Sequence, residues 1–370
     1  MAIAIQPYTA DRIPAVKAFN QRLAAGGIRP EFHFPESNIP DWLPKEDGRR
    51  IYQEYYLAVD GKEVRGGFIL KYQDFLLGGE SLPVVFYRLP VSEGIVDKAY
   101  TSVGVLMLRS AMRMHPCLFA LGMGGFDRPL PTMLKAMSWK LSVVPFYFRV
   151  QHPAVFLRQI APLRQSAARR ALAGFAAASG AGSVGIKALH WLRTKSMAAG
   201  ISAEPIKSFG SWADDLWKQH ASGYAMIADR GNATLNLLYP PGKNFLCIKT
   251  VCENRVLGWA VVLDTQMRNN KYFGSLRVGT IADAFAASEN AAAVVRCATR
   301  FLEDRGVDLV VANHSSTAWG NAFRAAGYLQ ASSNFIFAAS KPLAAKLTNV
   351  EANQAQVYLM RGDGDGPVNL

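Results

Sequence analysis

The residues most able to do chemistry in this chain are few and scattered. Residues 99–104, Ala-Tyr-Thr-Ser-Val-Gly, lead into the helical run Val105-Leu-Met-Leu108. A helix N-terminus presents unpaired backbone N–H groups, and a glycine there lets a phosphate approach closely. Ser102, Val103 and Gly104, with Lys98 beside them, therefore form a candidate anion cradle, and Leu89 and Val91 end the strand that leads to it. An ordinary N-cap at Thr101 or Ser102 would give the same residues. The candidates for moving protons are Tyr87, Glu93, Tyr100, Asp283 and His314. A carboxylate or an imidazole can take a proton near neutral pH, and a phenol can give one. His314 ends the run Val311-Ala-Asn-His, and ligand sites in α/β sheets collect at such strand ends. Structural roles compete: Tyr87 as a core aromatic, Glu93 as a solvated loop residue, Asp283 as a helix cap, His314 as a satisfied buried histidine.

Other chemistries find no support. The chain has no Gly-x-Ser-x-Gly elbow and no Walker loop, and Gly122-Met-Gly-Gly125 does not complete a dinucleotide fingerprint. It reads as a loop near a cleft. The 6 histidines are dispersed and the 4 cysteines form no Cys-x-x-Cys pair, so no metal site is expected. Reduced, buried thiols suit a cytoplasmic protein. The N-terminus lacks a signal-peptide pattern, and no apolar run reaches the roughly 18–20 residues of a membrane span.

The elements that must position these residues come in two similar series. The first reads strand 3–8, helix 13–23, hairpin 55–70 turning at Asp60-Gly61, strand 82–91, helix 102–114, strand 117–121, helix 130–140 and strand 143–150. The second reads helix 212–220, hairpin 245–262 turning at Glu253-Asn254, strand 276–282, helix 288–305, strand 307–312, helix 317–326 and strand 334–339. Gly66 to Gly258 spans 258 − 66 = 192 positions, and Trp139 to Tyr328 spans 328 − 139 = 189. Spacing this constant points to a duplicated domain. The aromatic-rich stretch Phe32–Trp42 reads as a loop, either covering an acceptor pocket or pinned to the surface by its rings. At 370 residues the chain can hold two cores.

Between the series the charge changes. No acidic residue stands between Asp127 and Glu204, while 11 Lys and Arg do, nearly the whole net charge of +13. Such a field draws anionic partners and fades with salt. Residues 154–199 read as basic amphipathic helices around a Gly/Ser/Ala-rich turn. They either pack on a neighbouring domain or lie on an anionic surface.

The element order, the hairpins and the endings Leu134-Lys-Ala-Met-Ser-Trp139 and Phe323-Arg-Ala-Ala-Gly-Tyr328 resemble the GNAT family of acyl-CoA N-acyltransferases. Two such domains in one chain are similar to the FemAB-like transferases. The resemblance implies an α/β (α+β) fold of two GNAT-like domains. Each has a central mixed sheet flanked by helices, at 1–152 and 204–345. A basic helical linker, 153–203, joins them, and a partly disordered tail, 346–370, follows. It implies acyl-CoA (acetyl-CoA) as co-substrate, no metal, and Leu89, Val91, Lys98, Ser102, Val103 and Gly104 as donor-binding residues. Ser102 and Ala99 depart from the family's Arg/Gln-x-x-Gly-x-Gly/Ala loop, and Leu134 and Phe323 stand where the family often has a catalytic tyrosine. The second half has no glycine at its helix start and carries Asp283 and Glu289 there, so the first half is the expected donor site.

The function this implies is transfer of an acyl, for instance acetyl, group to an amine on a small molecule or glycan, such as an amino sugar, a cell-envelope precursor or an amino-acid derivative. One alternative is a non-catalytic tandem protein that binds an anionic glycan, lipid or partner through 128–195. Another is a FemAB-like transferase fed by aminoacyl-tRNA. Nucleic acid is the poorer fit, because aromatic interleaving is sparse. The expected location is cytoplasmic, with peripheral contact at the inner membrane surface as the variant the basic stretch allows.

Overall fold

The computed structural model describes residues 3–36, 40, 42–160, 184, 200–351 and 356–364, without the side chains of 349–351. Most of the expected basic linker (161–183 and 185–199) lies outside these residues. The chain forms two compact units. One combines Met1–Ser142 with Ile336–Gln354, the other Val143–Phe335 with Ala355–Leu370. Both are mixed sheets flanked by helices. No described helix is long and apolar enough to cross a membrane.

The first unit is built on strands β1 (Ala4–Pro7), β2 (Tyr52–Asp60), β3 (Glu63–Leu77), β4 (Glu80–Ser92), β5 (Leu118–Gly122) and β6 (Lys140–Val143). Its helices are α1 (Ile13–Ala25), α2 (Ser102–Met114) and α3 (Pro129–Ala136). Strands β1 to β4 are antiparallel, and β5 pairs parallel with β4. The period of two along β3 sorts its side chains by face. Ile69 joins Val16, Phe19 and Leu23 of α1, while Phe68 and Leu70 join Val103, Met107 and Leu108 of α2. The β2–β3 loop is Gly61-Lys62, one residue later than expected, because Asp60 pairs with Glu63 and Gly61 supplies the positive φ of 60°.

The second unit uses strands β7 (Phe146–Val150), β8 (Ile201–Ile206), β9 (Tyr224–Ala228), β10 (Phe245–Cys252), β11 (Arg255–Gln266), β12 (Arg277–Ala286), β13 (Leu309–Asn313) and β14 (Leu329–Ala331). Its helices are α4 (Pro153–Gln159), α5 (Ser211–His220), α6 (Asn232–Leu238), α7 (Ala291–Glu303) and α8 (Thr317–Ala325). Strand order runs β14-β7-β13-β12-β11-β10-β8, with β12 and β13 parallel. Glu253 and Asn254 both have positive φ, 48° and 67°, as a two-residue hairpin turn of this twist requires. Helix α4 opens the expected linker, yet its Phe156 packs on Phe148 within this unit's core.

The closing strands differ from the contiguous domains expected. Strand β7, from the first series, lies between β13 and β14 of the second unit. Strand β15 (Ile336–Ala339), from the second series, pairs with β5 in the first unit and is followed there by α9 (Lys341–Glu351). Each half thus donates its last strand to the other half's sheet. Both strands are short, mostly apolar and paired antiparallel, so pattern alone does not choose the sheet. Residues 356–364 are ordered, with β16 (Gln356–Val357) beside β9 and a 3-10 turn at Arg361–Asp363.

Candidate active site

The duplication is visible in the packing at two glycines. A Cβ on Gly66 would lie 2.9 Å from Met107 Sδ and from the Val91 carbonyl oxygen. A Cβ on Gly258 would lie 2.6 Å from the Phe285 carbonyl oxygen and 2.7 Å from Val294 Cγ2. In both units a central helix rests on the third-from-edge hairpin strand where only glycine fits. The helix endings match too. Trp139 N–H donates to Leu134 O at 3.1 Å, and Tyr328 N–H to Phe323 O at 3.0 Å. Ser138 (φ 63°) and Gly327 (φ 84°) hold the left-handed position between them, the geometry of a Schellman end.

In the first unit, the β4–β5 ladder consists of Val85↔Leu118 and Phe86↔Phe119. Beyond it β4 has an irregularity against β3, where Gly67 pairs with Val91 but Ile69 with Arg88. Leu89, inside this bulge, has φ 45°, a costly value for a side chain of its kind. Past the bulge, β4 continues on β3 only. Loop residues Glu93–Thr101 then lead into α2. Thr101 Oγ1 donates to Lys98 O, and Thr101 makes no side-chain cap on α2. Lys98 and Ser102 are exposed and Gly104 is half-buried. The side chains of Val91 and Val103 are buried in core clusters.

Glu93 is not the solvated loop residue the sequence allows. It is buried, and both carboxylate oxygens are engaged. Arg22 Nε reaches Oε1 at 2.7 Å and Arg65 Nη1 reaches Oε2 at 3.0 Å. Burial pushes its pKa up, but the hydrogen bonds and charges of the two arginines outweigh this and hold it low. The Arg65 guanidinium lies 4.2 Å over the Tyr100 ring, which brings Glu93, Arg65 and Tyr100 together. Tyr87 sits in the core under α2, and its hydroxyl has no hydrogen-bond partner among the described residues. Burial raises its pKa, so the phenol stays protonated. The loop before β2 is pinned: Asn20 brackets Phe34, accepting from its N–H and donating to its carbonyl, and Gln53 Nε2 donates to Trp42 O.

In the second unit, β12 and β13 pair from Val278↔Leu309 to Ile281↔Ala312, and a bulge at Ala282 follows. Asp283 stands just past it in a strand, not as a helix cap. Arg230, only 1% exposed, contacts Asp283 Oδ1 at 3.0 Å and Asp363 Oδ1 at 2.9 Å. Tyr239 donates to Asp283 Oδ2 at 2.7 Å. His314 is fully buried, flat on Trp319 with ring centroids 5.1 Å apart. Its Nδ1 accepts from Ser316 N–H at 3.0 Å, which leaves the proton on Nε2, and Nε2 has no partner among the described residues. Burial and the Arg230 charge lower its pKa. It is a neutral imidazole whose lone pair is taken, poorly suited to act as a base. No local pattern in the sequence marks Arg22, Arg65, Arg230 or Asp363. They are single charges in ordinary contexts, and only the folded chain shows their partners.

No family model matches this sequence, and no curated protein matches it. Solved structures do match. The GCN5-related N-acetyltransferase of Anabaena variabilis superposes with a TM-score of 0.54 at 11% identity, covering 91% of this chain and 72% of its own. Saccharomyces cerevisiae N-myristoyltransferase with bound myristoyl-CoA gives 0.52 at 9% identity, covering 91% and 79%. A tandem GNAT protein from the clavulanic acid biosynthesis pathway gives 0.50 at 11% identity, covering 92% and 99%. The fold is therefore a tandem GNAT-like fold, and these neighbours are N-acyltransferases or GNAT proteins.

Proposed function

We propose that this chain is an N-acyltransferase and that its first unit binds the acyl-CoA donor. The carrying observation is the coincidence, in that unit, of the Leu89 bulge, the ended β4–β5 ladder and the uncapped first turn of α2. A pantetheine arm has amides that can pair with a strand edge, and a pyrophosphate suits free helix N–H groups. Lys98 adds a cation at the phosphate end. The acceptor is an amine on a small molecule or glycan, attacking the thioester carbonyl in its unprotonated form.

Among the candidate residues, Glu93 is committed to its arginines and His314 to Ser316. Tyr87 retains an unengaged donor. In this reading its hydroxyl donates to the thioester oxygen or the departing thiolate, where charge develops. Asp283 and His314 belong to the architecture of the second unit.

The test is calorimetric titration of acetyl-CoA and longer acyl-CoAs into the wild type and Ser102→Glu. A glutamate at the first helical position favours the helix itself, so the fold stays intact while the phosphates are repelled. Saturable binding that drops at least tenfold in the variant supports the reading. Absence of binding at low salt to the wild type sinks it. With an acceptor in hand, Tyr87→Phe should lower kcat about 10–100-fold with KM little changed.

A further inference from the structure

The second unit has the same ended parallel ladder and bulge as the first, but its crevice is not open. Residues 356–364 run through it. Gln356 and Val357 pair parallel with Tyr224 and Met226 of β9, and Tyr358 N–H donates to Met226 O at 2.8 Å. Ser315 N–H donates to Leu359 O at 3.1 Å, and Leu359 N–H to Ser315 Oγ at 2.8 Å. The Tyr358 ring is enclosed edge-on by Tyr224 and His314, with centroids 4.7 and 4.4 Å away. The Arg230 guanidinium covers it at 4.7 Å. The Tyr358 hydroxyl donates to the Ala284 carbonyl, just past the bulge. Five positions on, the two carboxylate oxygens of Asp363 accept from Arg230 Nη2, at 2.9 and 3.0 Å. Arg361 Nε donates to Asn313 Oδ1, at the end of β13, at 3.0 Å.

These are the contacts of a bound peptide: strand addition, one aromatic anchor in a pocket, and one carboxylate on a buried guanidinium. We propose that the crevice at the carboxyl ends of β12 and β13 is a peptide-binding groove filled in cis by the chain's own C-terminal segment. The ligand class it takes is a peptide that is extended up to its tyrosine and closes in a 3-10 turn bearing, five residues later, a carboxylate. Its occupant also excludes a second acyl donor from this unit. The inference stands on the second unit alone and does not depend on the donor reading of the first.

The test uses the full chain with a protease site inserted between residues 351 and 356. After cleavage, the fragment beginning at Gln356 should remain associated through gel filtration, as read by mass spectrometry. An excess of labelled synthetic peptide of the same sequence should exchange into the groove. Peptides with Asp363→Asn or Tyr358→Ala should exchange at least about tenfold more weakly, because each leaves a buried partner unmatched. Immediate loss of the fragment with an unchanged unfolding midpoint overturns the proposal. So does equal exchange by wild-type and altered peptides. If cleavage causes aggregation, protection by the wild-type peptide but not by the Asp363→Asn peptide supports it, and no protection overturns it.

Discussion

The two units share a sheet order, a glycine under the central helix and a Schellman-ended helix, but they treat one place oppositely. At the carboxyl ends of the parallel pair, the first unit leaves Arg88, Leu89 and Pro90 half exposed, while the second buries Ala282–Ala286 completely. The first unit keeps its ion cluster at the start of the loop that leads to α2, where Arg22 of α1 and Arg65 of β3 hold Glu93. The second places its cluster, Arg230, Asp283 and Asp363, inside the crevice itself. A duplicated scaffold can thus keep its frame and change one copy's cavity by what threads through it. Packing of the frame depends on a few glycines and apolar faces, and these are indifferent to the crevice's contents.

The largest effect that would sharpen this contrast is at the two clusters. Arg230→Met should destabilise the second unit by about 3–5 kcal/mol, because two buried carboxylates lose their shared counter-charge. Arg65→Met should cost only about 2 kcal/mol, since Arg22 still holds Glu93. Urea unfolding of both variants measures this, and equal losses would break the distinction drawn between the clusters.

Next come the glycines. Gly258→Ala should cost about 2–3 kcal/mol, because its Cβ meets a backbone carbonyl and the Ala286 Cβ at 2.6 Å. Gly66→Ala should cost less, about 1–2 kcal/mol, because the Met107 thioether can swing aside. The reverse order in thermal denaturation would show that the two frames are not packed alike.

The helix ends provide a smaller, signed comparison. Ser138→Gly should stabilise by about 1 kcal/mol, and Gly327→Ala should destabilise by about as much, since both positions are left-handed. A melting temperature that falls in Ser138→Gly would contradict the shared Schellman geometry.

Acid gives the mildest contrast. The carboxyl of Glu93 is held below its ordinary value of 4.5 in the folded chain. Its contribution is therefore fully present above pH 4.5 and is lost as pH falls through the lower folded value. Unfolding free energy followed from pH 6 to pH 3 should drop more steeply in the wild type than in Glu93→Gln. Parallel curves would remove Glu93 from the account.

Much of the frame was legible in the sequence. Alternation along β3, the constant spacing of Gly66 and Gly258, and the matched endings at Trp139 and Tyr328 are local signals, because they follow from the side-chain period and from close backbone approach. The helix start at Ser102 was legible for the same reason, as cap-type residues ahead of a helical apolar pattern. The opposite holds for the partners of Glu93 and Asp283. Arg22 and Arg65 lie 71 and 28 positions from Glu93, and Arg230 lies 53 from Asp283, so no local pattern announces them.

What the sequence by itself determined is the kind and order of elements in each half, and hence the repeat and the fold class. What only the tertiary structure decided is which sheet each closing strand joins and what lies in each crevice. Strands β7 and β15 are both short, mostly apolar and paired antiparallel, so either sheet satisfies their hydrogen bonds, and the choice rests on the geometry of the whole chain. The end of the segment 356–364, Arg361-Gly-Asp-Gly364, looks polar and glycine-rich when read alone. The segment becomes ordered because a buried guanidinium and a ring pocket, assembled from distant residues, need its carboxylate and its tyrosine.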